Sequence, residues 1–174
     1  MKQSILLSIS GKDRAGIVRD VSAVLLQADA NLEDSSMTVL RGRFTMMLIV
    51  ELAAGGELTA LKASLAELEQ HTGLNVQSQI LNHDEASLIP DEPDCVFTVS
   101  GADKPGIVFA VTDVLADVGV SVVDVSTRER DGVYMMALEV LAGENMDILR
   151  DKLAQVAEKL SVSIEIHALD DDVM

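Results

Sequence analysis

The sequence predicts an α+β protein built from two ferredoxin-like βαββαβ sandwiches in tandem, and three observations predict it. The whole pattern repeats at an offset of 90 residues. Within each copy, strand-like and helix-like spacings of apolar residues alternate. An acidic segment with two prolines separates the copies. The 174 residues are 48% hydrophobic, which is enough for a core in each copy, and 2% aromatic, so both cores must be aliphatic.

The repeat is clearest where the first strand of each copy ends. Residues 10–18 align with 100–108, and both segments contain the pattern Gly-x-Asp-x-x-Gly-Ile-Val. Over residues 10–36 and 100–126, 11 of 27 positions are identical. A repeat of this length indicates duplicated domains, because solenoid periods are shorter. We therefore expect domains at 1–82 and 94–174.

The segment 83–93 is the predicted linker. It contains Pro90, Pro93 and several acidic residues. Prolines and charges favour an extended chain without a core of its own.

Each copy follows the order strand, helix, strand, strand, helix, strand. In the first copy we expect a strand at 5–9, a helix whose apolar face runs over 17–28, strands at 32–40 and 44–52, a helix whose apolar face runs over 58–68 and a strand at 76–81. Gly73 is the expected C-cap of the second helix. This order specifies a ferredoxin-like sandwich, in which the helices cover one face of the sheet.

The second copy repeats these elements. Asp131-Gly132 is a dipeptide favoured in tight turns that need positive φ. The predicted second helix of this copy places five apolar residues on one face: Ile148, Leu149, Leu153, Val156 and Leu160. The strands are apolar on both faces, so we expect the helix-free face to meet another sheet, a helix pair or a subunit.

Charge and cysteine content exclude several classes of protein. The net charge is −16, with −4 in residues 1–85 and −12 in residues 86–174. An acidic surface repels phosphate, so direct nucleic-acid binding is not expected.

Cys95 is the only cysteine, which excludes an internal disulfide and favours the cytoplasm; we expect it to be buried and inert. No segment approaches the ~20 apolar residues of a membrane span, and His71, His83 and His167 share no metal-ligand spacing.

The loop after the first strand is the sharpest motif in each copy. Asp13 and Asp103 are the expected N-caps of the following helices, and Pro105 fits an early helical position. Gly16 and Gly106 are then in the first turn, where the missing side chain lets another group approach the backbone. That group is either a neighbouring strand or domain, or a ligand whose carboxylate meets free amides at the helix start. The residues alone leave both interpretations open.

The element order together with the Gly-x-Asp-x-x-Gly-Ile-Val turn resembles the ACT domain, a regulatory module that binds amino acids. The tandem arrangement, without a catalytic or DNA-binding domain, is similar to the glycine cleavage system transcriptional repressor family. This resemblance implies a non-enzymatic regulator that needs no cofactor, responds to a small amino acid, and forms homo-oligomers. It further implies action through a partner transcriptional activator and not on DNA directly. Glycine is the leading effector on the resemblance alone.

The resemblance also implies which residues bind the ligand, often where two modules meet. They are the first-strand loop and the start of the second strand in each copy: Asp13, Arg14, Ala15, Gly16 and Asn31, and Asp103, Lys104, Pro105, Gly106 and Ser121. An Asn amide both donates and accepts hydrogen bonds, whereas Ser121 is shorter. The first copy is therefore the better candidate.

Two other functions fit this sequence less well. One is an allosteric or oligomerisation subunit of an amino-acid metabolic enzyme. The other is a small enzyme on a ferredoxin-like scaffold, for which no convergent acid–base or nucleophile set is present.

Overall fold

The computed structural model describes residues 2–53, 56–88 and 92–169. The chain divides into two compact units, Met1–Leu88 and Ile89–Met174. Each unit contains one four-stranded sheet in which every pair of neighbours is antiparallel.

The first unit has the predicted βαββαβ order. Its elements are β1 (Gln3–Lys12), α1 (Ile17–Gln27), β2 (Ala30–Leu40), β3 (Arg43–Leu52), α2 (Leu58–Thr72) and β4 (Asn75–Ile80), with a short α3 (His83–Ala86) after them. The strand order in the sheet is β2-β3-β1-β4. Gly73 ends α2 with φ 69°, which confirms the predicted left-handed C-cap.

The second unit repeats this architecture. Its elements are β5 (Cys95–Ala102), α4 (Ile107–Asp117), β6 (Ser121–Arg130), β7 (Val133–Leu141), a 3-10 turn (Gly143–Asn145), α5 (Met146–Leu160) and β8 (Val162–Ala168). The strand order is β6-β7-β5-β8. The predicted fold class, two ferredoxin-like sandwiches in tandem, is confirmed.

One face of each sheet is buried beneath its two long helices. In β1 the buried side chains are Ile5, Leu7 and Ile9, each separated by a residue that points to the opposite face. The same alternation runs along β3, β5 and β7. Because no residue of these cores is polar or charged, the burial of aliphatic side chains supplies most of the driving force for folding.

Two local expectations need correction. Ile148 is 50% exposed, because Leu149 and Leu153 already fill the buried stripe of α5. The predicted extended linker begins with a helical turn, α3, held by a capping box between Asn82 and Glu85. The positive-φ turn predicted at Asp131-Gly132 is confirmed, and Arg41 and Gly42 also adopt positive φ in the β2–β3 hairpin.

Pro90 of the predicted linker lies outside the described residues. Within residues 2–53, 56–88 and 92–169, none of the helices has the length and apolar character that a membrane span requires.

Candidate functional site

The turn between β1 and α1 has the same unusual backbone in both units. Gly16 adopts φ 89° and Gly106 adopts φ 95°, in the left-handed region, and each is the residue just before its helix. The prediction that Asp13 and Asp103 cap these helices is therefore wrong. The chain makes a glycine turn of three further residues first, so each aspartate stands too far from the helix start to cap it. Pro105 likewise lies in the turn and not in the helix.

This turn leaves the start of each helix open. Neither helix has a side chain that caps it. The first backbone bonds are donated by Asp20 N–H to Gly16 O and by Ala110 N–H to Gly106 O, so the amides before them have no partner within the helix. A Cβ added to Gly106 would have no neighbour within 4 Å, and one added to Gly16 would meet only arginine tips. These amides and the helix dipole together suit an anion such as a carboxylate.

Arg14 lies at this turn but is already engaged. Its guanidinium donates to Asp20 Oδ2 at 2.7 Å and to the Ala15 carbonyl at 3.2 Å. Arg19 donates to the other Asp20 oxygen at 2.7 Å. Hydrogen bonds from Arg14 and Arg19 lower the pKa of Asp20 from its usual value. Two cations thus converge on one carboxylate beside Gly16, and an incoming carboxylate would compete with Asp20 for Arg14.

The corresponding side chains of the second unit are arranged differently. Lys104 Nζ donates to the Leu160 carbonyl oxygen at 3.1 Å, so its positive charge interacts with the negative end of the α5 dipole. Asp103 lies near Tyr134, whose pKa is raised by burial and then by this carboxylate. Lys104, which aligns with Arg14, therefore points to α5, and Phe109 stands where the first unit has Arg19.

Asn31 lies at the opposite end of its own sheet from the Gly16 turn. The register places Asn31 beside Glu51 and Glu51 beside Ser4, whereas the turn follows Lys12. Eight residues of strand separate these ends by about 26 Å. Ser121 has the same position in the second unit, beside Leu141. Within one unit, therefore, the two halves of the predicted ligand site do not come together.

Asn31 instead lines a cavity of about 430 Å³ with charged neighbours. Lys2 donates to Glu51 at 2.6 Å on one side of it, and Asp29 lies on its wall. The hydrogen bond to Glu51 raises the pKa of Lys2. These charged neighbours could not be found from the sequence, since only the fold brings residues 2, 29, 31 and 51 together.

Other candidate groups are structural. Cys95 is fully buried, as predicted. Burial, with a further contribution from Asp94, raises the pKa of its thiol to about 11. In the described part of the chain, no three His, Cys, Asp or Glu side chains are grouped as metal ligands.

The chain is thus a tandem of two small α+β modules, each with an open glycine turn at the start of its first helix. Family models for the ACT domain match residues 3–79 and 96–158, and the chain belongs to the ACT-domain family.

Single-module relatives match about half of the chain. The UPF0237 protein YjhC of Lactococcus lactis is 34% identical over 74 residues, which are 42% of this chain and 84% of that protein. A UPF0237 protein of Methanopyrus kandleri is 36% identical over 81 residues, covering 46% of this chain and 87% of its own length. The chain thus contains the ACT module of the UPF0237 proteins.

Solved structures match both units together. A protein of unknown function from Galdieria sulphuraria is 29% identical, with a TM-score of 0.79 over 98% of this chain and all of that one. A structure described as a candidate glycine cleavage system transcriptional repressor has a TM-score of 0.74 over 98% of this chain and 99% of that chain. Its identity is 18%, so this likeness concerns the fold.

Proposed function

We propose that the chain is a non-enzymatic, amino-acid-responsive regulator that controls transcription of glycine cleavage through a partner activator and not through DNA. The observation that carries the proposal is the uncapped, left-handed glycine turn, which recurs in both units beside free first-turn amides. A net charge of −16 also opposes direct contact with DNA. With one cysteine and no disulfide partner, we place the protein in the cytoplasm.

The proposed effector is a small amino acid, with glycine first. Its carboxylate meets the amides after Gly16 and competes with Asp20 for Arg14. Its ammonium requires an acceptor, and the Asn31 amide oxygen or a carboxylate supplies one. Because ligand contacts at the turn are mainly to backbone, they do not distinguish one effector side chain from another, and glycine comes first on the family resemblance alone.

The distance of about 26 Å between the turn and Asn31 constrains how such a site is completed. β2 is an edge strand whose residues are almost all exposed. If two copies of the chain pair through β2 in antiparallel fashion, Asn31 of one copy approaches the β2–β3 hairpin of the other. That hairpin is bonded to the turn, since Asp13 N–H donates to Gly42 O at 2.9 Å. We propose that the effector binds there, between copies, and favours the paired state.

A subunit-mixing experiment tests this arrangement. Asn31→Ala and Gly16→Val each remove one half of every first-unit site, so each variant alone loses glycine binding at the first unit in calorimetry. When the two variants are mixed and re-paired, half of the pairs carry one intact site, and about a quarter of the binding capacity returns. No recovery, with both variants folded by circular dichroism, would exclude a shared site. Gly106→Val is the matched control and is expected to weaken binding less than Gly16→Val.

The partner half of the proposal has its own test. A purified transcriptional activator of glycine cleavage genes is expected to bind the immobilised chain with an affinity that changes when glycine is added. The chain alone is expected not to retard promoter DNA in a gel. Equal affinity for the activator with and without glycine would contradict the proposed coupling.

A further inference from the structure

β8 is an edge strand of the second sheet, so half of its backbone groups face away from the sheet. Leu169 N–H donates to the Asp94 carbonyl oxygen at 2.8 Å, which shows that the odd-numbered residues of β8 bond to β5. The N–H and C=O groups of Ile164 and Ile166 therefore point outward. Within residues 92–169, neither of these N–H groups donates a hydrogen bond. An open edge of this kind is a template for another extended chain.

The corresponding edge of the first unit is closed by a side chain. Val76 has the position in β4 that Ile164 has in β8. Its outward N–H donates to Glu69 Oε1 at 3.1 Å, so the carboxylate lies where an added strand would bond. Glu69 precedes Val76 by seven residues, and Ala157 precedes Ile164 by the same number. The side chain that closes the first edge is therefore missing from the second.

A shallow cavity of about 280 Å³ lies beside the open edge, between α5 and β8. Of its described lining residues, Arg150 alone is charged, and within the described part of the chain Arg150 takes part in no ion pair. In the equivalent cavity of the first unit, Lys62 and Glu69 offset each other's charge. The rest of the lining in the second unit is aliphatic: Leu153, Ala154, Ile164 and Ile166.

We propose that an extended segment of a protein partner adds to β8 as a fifth strand, with an acidic residue facing Arg150 and an aliphatic residue two positions later. Main-chain bonds to Ile164 and Ile166 supply affinity, and the cavity selects alternate side chains, as in other strand additions. The segment runs antiparallel to β8, because every neighbour in this sheet is antiparallel and such pairing is the more stable.

The direction of α5 sets the order of the two side chains. The contact between Glu69 and Val76 shows that position 157 of the second unit lies beside Ile164. Arg150, seven residues earlier in α5, therefore lies towards Ile166. The acidic residue of an antiparallel segment stands opposite Ile166, and the aliphatic residue stands opposite Ile164, over the aliphatic lining.

A peptide titration tests the proposed strand addition. The probe is Ser-Thr-Glu-Thr-Val-Thr-Ser with blocked ends, added to the full chain at millimolar concentration and about 150 mM salt, where charge repulsion is screened beyond about 8 Å. In NMR spectra the amides of Ile164 and Ile166 are expected to shift, and their hydrogen exchange to slow, because each gains an acceptor. Wild-type amides that do not respond would overturn the proposal.

Ala157→Glu places in the second unit the carboxylate that closes the edge of the first. It is expected to abolish both responses to the peptide. Gln155→Glu is the matched control, because it adds the same charge at an exposed position of α5, and it should bind the peptide as the wild type does. Peptide binding by A157E at the wild-type level would overturn the proposal. So would a chain that sediments as an assembly without peptide and is dissociated by A157E, because a second copy would then occupy the edge.

A charge exchange tests the contact with Arg150. Arg150→Glu is expected to weaken binding of the peptide about 2–5-fold, the size of effect typical of an exposed ion pair. A peptide with Lys in place of Glu should show the reverse preference and bind R150E more tightly than the wild type. Equal binding of both peptides by both chains would contradict the acidic specificity.

As a surface for the partner, this site rests on the proposed function, but it shares no residue with the proposed effector site. The titration uses neither glycine nor the activator. An intact peptide response together with absent glycine or activator binding would count against the proposed function alone, whereas loss of the peptide response alone would count against the open edge of β8.

Discussion

At the scale of single residues, the two glycines of each Gly-x-Asp-x-x-Gly motif are needed for different reasons. Gly16 and Gly106 adopt positive φ, and open space lies beside Gly106. Gly11 and Gly101 lie in strands and are needed for close packing. A Cβ at Gly101 would stand 2.8 Å from Val162 Cγ1, and one at Gly11 would stand 2.6 Å from Leu74 Cδ2. The sequence pattern indicates that a side chain is missing at all four glycines. Only the structure shows that the second glycine of each motif lies in an open turn and that the first packs against a neighbouring side chain.

Gly101→Ala is therefore expected to destabilise the second unit. The added methyl group must displace Val162 at the β5–β8 contact, and overpacking of this kind costs about 1–3 kcal/mol. Urea denaturation measures the free energy of unfolding. Ser100→Ala, at the neighbouring exposed position of the same strand, is the control and should change it by less than about 0.5 kcal/mol. Equal effects of both variants would contradict the packing argument.

Cys95 is expected to be inert in the folded protein. Its pKa of about 11, caused by burial and then by Asp94, leaves about one thiolate in a thousand at pH 8. A thiol reagent should therefore label the native chain far more slowly than the chain in denaturant. The raised pKa also makes stability depend on pH. The contribution of this thiol to the free energy of unfolding is complete below the ordinary pKa of 9.0 and is lost as the pH rises towards about 11. Native labelling at the denatured rate would show that the thiol is accessible.

At the scale of elements, Asp20 at the start of α1 is proposed to compete with the effector carboxylate for Arg14. Arg14 and Arg19 both donate to Asp20, which keeps the carboxylate ionised at neutral pH. In the proposed sensor, Asp20→Asn weakens the hold on Arg14 and strengthens glycine binding by about 2–5-fold, an effect of under 1 kcal/mol typical of exposed ion pairs. Calorimetry measures the dissociation constant.

Asp113→Asn provides the control for this prediction. It removes the same charge from an exposed position of α4 in the other unit and is expected to leave glycine binding unchanged. Weaker binding in Asp20→Asn would mean that Asp20 itself contacts the effector and does not compete with it.

Most elements could be predicted from the sequence, because apolar spacing of 2 or 3.6 residues follows directly from which side chains the core buries. The turn after β1 could not. Aspartate before a helix is a frequent N-cap, but here Gly16 takes a left-handed conformation and moves the helix start three residues on. Asn31 illustrates a second limit. Its separation from the turn depends on strand register, which pairs Asn31 with Glu51 and cannot be read from positions 13–16 and 31 alone.

At the scale of the whole molecule, each unit has a core formed entirely by its own residues. We therefore expect the chain cut between residues 88 and 92 to give two halves that fold separately. Each half should unfold cooperatively when heated, as small domains of about 85 residues do. Circular dichroism of the separate halves tests this expectation, and a half that stays unfolded alone would show that it depends on the other.

The two halves should differ in how salt changes their stability. Residues 1–85 carry 7 basic and 11 acidic side chains, or −4, while residues 86–174 carry 6 basic and 18 acidic ones, or −12. Excess charge of one sign destabilises the compact state by self-repulsion, and salt screens it as the Debye length falls from about 30 Å at 0.01 M to about 8 Å at 0.15 M. Added salt is therefore expected to raise the Tm of the second half by several degrees and that of the first half by less. Salt also weakens surface ion pairs such as that between Lys152 and Asp117. If added salt lowers the Tm of the second half, its ion pairs stabilise it more than repulsion among its acidic side chains destabilises it.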